Sequence, residues 1–105
     1  MDYLDWLRRL AINDESLADD EVASGLAALD PRTLALCRLA ALVAIGGAEP
    51  SFGAYADDAI SAGATPDELV AVLVGVVPIV GMPRAVAAAP DLALALGHDL
   101  EDSGL

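Results

Sequence analysis

The chain has 105 residues, 56% of them hydrophobic and only 4% aromatic, with 17 acids against 5 arginines, no lysine and a net charge of −12. That length fits one domain and not two, and the charge repels nucleic acid and anionic membrane surfaces. The acids are spread over termini and loops, which reads as solvation, and the single cysteine, Cys37, excludes an intramolecular disulfide or a CxxC redox pair.

At the start, Tyr3, Leu4, Leu7, Leu10 and Ala11 recur at three- and four-residue spacing with Asp5, Arg8 and Arg9 between them, predicting a short amphipathic helix over residues 2–11. Trp6 falls toward its polar side, on the surface or against another subunit. Met1 to Asp5 carries acids where a secretory signal carries a basic start, and no small-residue cleavage site follows an apolar segment, so cytoplasm is the expected compartment. Asn13-Asp14 caps a second short helix expected over residues 15–24, which Gly25 ends.

Asp30-Pro31 sets a capping side chain before a first-turn proline, and TLALCRLAALVAI continues as a helix to the paired Gly46-Gly47. Cys37, in the middle of this apolar helix, is expected in the core, where free cysteine usually lies. Pro50 then opens SFGAYADDAISA, with Asp57-Asp58 on its exposed side, and Gly63 closes it.

The next stretch, TPDELVAVLVGVVPIVGMPR over residues 65–84, starts with the clearest helix signal in the chain. Thr65 is placed to cap, Pro66 takes the first helical position, and Glu68 stands three residues after the cap. From Leu69 to Pro83 there is no charge, and LVAVLVGVVPIV offers no polar stripe, so this helix is predicted to be buried on every side. The run is shorter than the ~20 residues of a membrane span and is interrupted by glycines and Pro78, which makes it protein core. Pro78 is expected to break or kink the helix near Val76–Val77. Gly81-Met82-Pro83 restarts the chain into a last helix over residues 83–96, bent at Pro90, before Gly97 releases the acidic tail HDLEDSGL.

No stretch alternates with a two-residue period, so the expected fold is all-α, a helical subunit of five to six helices in a single domain spanning residues 1–105. Residues 1–29 form an N-terminal arm, 30–96 the core and 97–105 the acidic tail. A small chain buries only about 60–70% of its unfolded surface. An all-apolar central helix therefore calls for a homo-oligomer, whose interface supplies the missing cover.

The segment DPRTLALCRLAALVAIGGAEPSFGAYADDAISAGATPDELVAVLVGVVPIVGMPRAVAAA resembles the carboxymuconolactone decarboxylase family. The most specific parts are the Asp-Pro-x-Thr opening at Asp30–Thr33, the Ala-Gly-Ala-Thr-Pro-Asp-Glu-Leu junction at Ala62–Leu69, and Pro-x-Val-Gly-x-Pro-Arg-Ala at Pro78–Ala85. These are fold markers and not catalytic motifs. The resemblance implies an all-helical subunit assembled as trimers or hexamers, with active sites near subunit contacts. It includes muconolactone decarboxylases and alkyl hydroperoxidase D-like proteins that use a Glu, a CxxC pair and a His. Aligned through Glu49-Pro50 and Gly63, Tyr55 stands where many relatives carry the histidine. Ala48 and Ser51 stand at the two cysteine positions, and the upstream acid falls near Ala35 and Leu36. The dithiol of the peroxidase branch is therefore missing, and tyrosine, with a reference pKa of about 10, is a poor general acid–base near neutrality.

Ser51 and Tyr55, four residues apart on one helix face with Glu49 just before them, are candidates to orient a small polar ligand, with Tyr55 the candidate catalytic residue. The alternative is that Ser51 assists the helix start and Tyr55 packs. Arg84, in the first turn of the last helix, is a candidate to hold a carboxylate jointly with free N–H groups, or else to pair with Glu49, Asp67 or another subunit. His98, beside Asp99 and Glu101, is a solvated tail residue; no metal and no cofactor are implied. Three readings follow: a divergent family member that binds or transforms a small carboxylate or aromatic-derived metabolite, an active decarboxylase or hydroperoxidase, and a structural or interaction module.

Overall fold

The computed structural model describes residues 2–19 and 28–100. Every regular element among them is helical, and the chain divides into two compact units, residues 1–30 and 31–105.

In the first unit, α1 spans Tyr3–Ala11 and is capped by Asp2, whose side chain accepts a hydrogen bond from the Asp5 N–H at 3.0 Å. Asn13 takes the left-handed backbone conformation, φ 61°, which asparagine tolerates better than most residues. The turn leads into Asp14, which caps a single 3₁₀ turn over Glu15–Ala18. The expected helix over residues 15–24 is this short turn, ending at Asp19; the rest of its predicted span lies outside the described residues. Trp6 is half-buried, with the Arg9 guanidinium 5.0 Å above its ring, so it has a cation partner within its own helix.

The second unit is built from α2 (Pro31–Ile45), α3 (Glu49–Ser61), α4 (Pro66–Val80) and α5 (Met82–Ala95). Each helix packs chiefly against two others in the cyclic order α2, α3, α5, α4, leaving the diagonal pairs in weaker contact. The interior is aliphatic and small: Leu39 and Val43 from α2, Ala56 and Ala59 from α3, Leu69 from α4 and Ala88 from α5, with Phe52 the one ring. The alanines let the helix backbones approach closely, which suits a chain with so few aromatics.

Helix α4 starts as its sequence dictates. Thr65 accepts from the Glu68 N–H at 3.2 Å and the Glu68 carboxylate accepts from the Thr65 N–H at 3.0 Å, closing the capping box. The same carboxylate takes both ends of the Arg32 guanidinium in a fork, joining the first turn of α2 to the first turn of α4.

Three expectations are corrected. Within the single chain, helix α4 is not covered on every side: Leu69 and Leu73 are buried, but Val74 is 66% and Ile79 87% exposed, because a helix with two main neighbours keeps an outer face whatever its composition. Pro78 does not interrupt it near Val76–Val77; the helix runs on to Val80. The donor that proline lacks would have served the Val74 carbonyl, on that same outer face, one turn from the end of the helix. Cys37 is exposed, because it lies about 200° around α2 from the buried Ala35 and Leu39. Helix α5 runs unbroken across Pro90, and among the described residues no helix is long and apolar enough to cross a membrane.

Candidate functional site

Helix α2 ends at Ile45, and Gly46 follows with φ 80°, a backbone conformation that favours glycine. Across from it, Gly81 separates α4 from α5 and sets Arg84 in the first turn of α5. The Arg84 side chain reaches back to the end of α2, where Nη1 donates to the Ile45 carbonyl oxygen at 3.3 Å. The guanidinium occupies the space over Gly46 that any side chain there would fill. A cation against the last carbonyls of a helix is favourably placed, since those carbonyls form the negative end of its dipole. Among the described residues Arg84 makes no ion pair, with Glu49, Asp67 or any other acid.

Beside this arginine lies a partly enclosed cavity of about 180 Å³ lined by Val43, Gly46, Gly47, Phe52, Arg84, Ala87, Ala88 and Asp91. Its walls come from the end of α2, the start of α3 and two turns of α5. The apolar surfaces of Val43, Phe52 and the alanines face one cation and one anion, the arrangement of a small-molecule site with few placed polar groups.

The residues singled out in the sequence are only partly gathered here. Arg84 lines the cavity; Glu49, Ser51 and Tyr55 do not. Glu49 is exposed at the start of α3, Ser51 is half-buried with its N–H donating to the Ala48 carbonyl at 3.0 Å, and Tyr55 is 37% exposed. The α3 residue that reaches the cavity is Phe52, one position from Ser51, on the face that also buries Ala56 and Ala59. Asp91 went unnoticed in the sequence, although its spacing of seven from Arg84 puts the two on one face of α5. His98 is exposed and its N–H donates to the Ala93 carbonyl at 2.8 Å, and no group of three metal-ligating side chains occurs among the described residues.

A second hollow, between α4 and α5, is open and almost wholly apolar, about 520 Å³ in volume and lined by residues such as Leu73, Val77, Met82 and Val86. It offers no group for acid–base or nucleophilic chemistry.

A model of the carboxymuconolactone decarboxylase family matches residues 15–93 of the chain. No curated protein and no solved structure matches it at a significant level.

Proposed function

The chain belongs to the carboxymuconolactone decarboxylase family, and on that premise we propose that it binds a small carboxylate at the Arg84 cavity and does not run the dithiol chemistry of the peroxidase branch. The observation that carries this reading is an arginine without an acidic partner among the described residues, on the wall of a cavity that also presents the apolar surfaces of Val43, Phe52 and the alanines. Guanidinium is the side chain best suited to a carboxylate, since its N–H groups form a fork that both oxygens accept. The apolar wall fits the hydrocarbon part of the same ligand. With one cysteine in the sequence, and Ala48 and Ser51 where the resemblance implies a CxxC pair, no intramolecular disulfide cycle is available.

Thermal unfolding with a panel of short aliphatic and aromatic carboxylates tests this. A carboxylate present at ten times its Kd should stabilise the fold by about 1.4 kcal/mol, a rise in Tm of several degrees for a chain of this size. Arg84→Gln should abolish the rise. Absence of any shift, or a shift retained in the variant, would sink the reading.

The protein is further proposed to act as a homo-oligomer assembled through the outer face of α4 and α5. The support is the apolar surface left there by Val74, Ile79, Met82 and Val86, each more than half exposed in the single chain. Apolar area of this kind on a small domain marks an interaction surface.

A further inference from the structure

Arg84 and Asp91 line the same cavity yet make no ion pair with each other, and among the described residues the Asp91 carboxylate has no hydrogen-bond partner. Asp91 is half-buried, so its carboxylate is held at the cavity wall and is free to accept from a ligand. Seven residues at 1.5 Å each put the two positions about 10 Å apart along α5, on one face, with Ala87 and Ala88 between them. The cavity therefore has a cationic end, an apolar middle and an anionic end.

We infer that its ligand is an extended zwitterion of the ω-amino acid class, with the carboxylate on Arg84 and the ammonium on Asp91. This deepens the proposed carboxylate binding and rests on it. A dicarboxylate would set a second negative charge against Asp91, and a plain amine would leave Arg84 unmatched; a molecule bearing both groups satisfies both ends. Charge separation decides between isomers. With a hydrogen bond of about 3 Å at each end, an α-amino acid, whose charged groups are only two bonds apart, is too short to serve both ends of a span of this order. An extended chain advances about 1.2 Å per bond, so an ω-amino acid of four to six carbons holds its charged groups roughly 5–7 Å apart. Six waters at about 30 Å³ each would fill the cavity, and a chain of that length displaces a comparable volume.

Calorimetric titration of the full chain with 5-aminopentanoate, pentanoate, pentylamine and the isomer norvaline tests the inference. 5-Aminopentanoate should bind roughly tenfold more tightly than each of the other three, the difference expected from one charge-assisted contact. Asp91→Asn should remove that advantage while leaving pentanoate binding intact. If pentanoate binds wild type as tightly as 5-aminopentanoate and still requires Arg84, the zwitterion is wrong and the carboxylate site stands. Norvaline binding equally well would overturn the extended geometry. No binding by any of the acids would overturn both readings. The ligand comparison in wild type decides the matter even if Asp91→Asn does not fold.

Discussion

Asp14 accepts from the Ser16 hydroxyl at 2.7 Å, from Arg9 Nε at 2.7 Å and from the Ser16 N–H at 3.1 Å. The Ser16 hydroxyl, then Arg9, then the Ser16 amide hold its carboxyl at about 2, below the ordinary 3.8. A depressed carboxyl stabilises the folded turn above its ordinary value, and that contribution is lost as pH falls from 3.8 through about 2. Side-chain NMR titration should give Asp14 a midpoint near 2, and Ser16→Ala should move it back toward the ordinary value; a wild-type midpoint near 3.8 would contradict the hydrogen bonding. At Gly46 two constraints coincide, a positive φ and the guanidinium overhead, whereas Gly97 has φ 90° and open space around it. Both Gly46→Ala and Gly97→Ala should lose about 1–2 kcal/mol to backbone strain, measured by urea unfolding. Only Gly46→Ala should also weaken carboxylate binding, because its methyl group pushes Arg84 off the Ile45 carbonyl. Equal ligand affinities in the two variants would show that the position of Arg84 does not matter.

At the scale of elements, the junction of α2 and α4 depends on one carboxylate that does two jobs. Thr65→Ala removes one capping hydrogen bond and should cost about 1 kcal/mol. Glu68→Ala removes the reciprocal bond and the Arg32 fork together, and should cost about 1–2 kcal/mol, the ion pair adding little because both side chains are partly exposed. Urea denaturation of the two single variants and Glu68→Gln gives the comparison; a Glu68→Ala loss smaller than that of Thr65→Ala would show that the fork contributes nothing. This element was legible because capping is local: Thr65, Pro66 and Glu68 carry the whole signal within four residues. Helix α2 was equally legible in extent, but Cys37 was not legible in position. The hydrophobic pattern of PRTLALCRLAALVAI has almost no polar side, so its phase comes from what α3 and α4 cover, which is tertiary information. Pro78 misled for a related reason, since its cost depends on which carbonyl loses a partner and whether water reaches it. In the candidate site, Arg84 stood out as a charge after a long uncharged run. Asp91 did not, because a helix-face relation across seven residues matters only once a cavity lies on that face.

For the whole molecule, charge and apolar surface together constrain how copies meet. With a net charge of −12, two chains repel over most approaches, but the face formed by Val70, Val74, Met82 and Val86 belongs to a stretch without a charged residue from Leu69 to Pro83 and the turn beyond Arg84. Contact through that face keeps the acids at the rim, where salt screens them over about 8–10 Å. Association should therefore strengthen with added salt, opposite to an interface held by ion pairs. Val74→Glu puts a charge in the middle of the face without touching the core of the subunit, since Val74 is already 66% exposed. Ile60→Glu, on α3 and 40% exposed, is the control away from it. Sedimentation equilibrium at low and high salt should show wild type and Ile60→Glu above the 10.7 kDa of one chain, more so at high salt, and Val74→Glu at the mass of one chain. A wild type that remains at one chain's mass at every concentration, or a Val74→Glu variant that still assembles, would remove this face from the assembly.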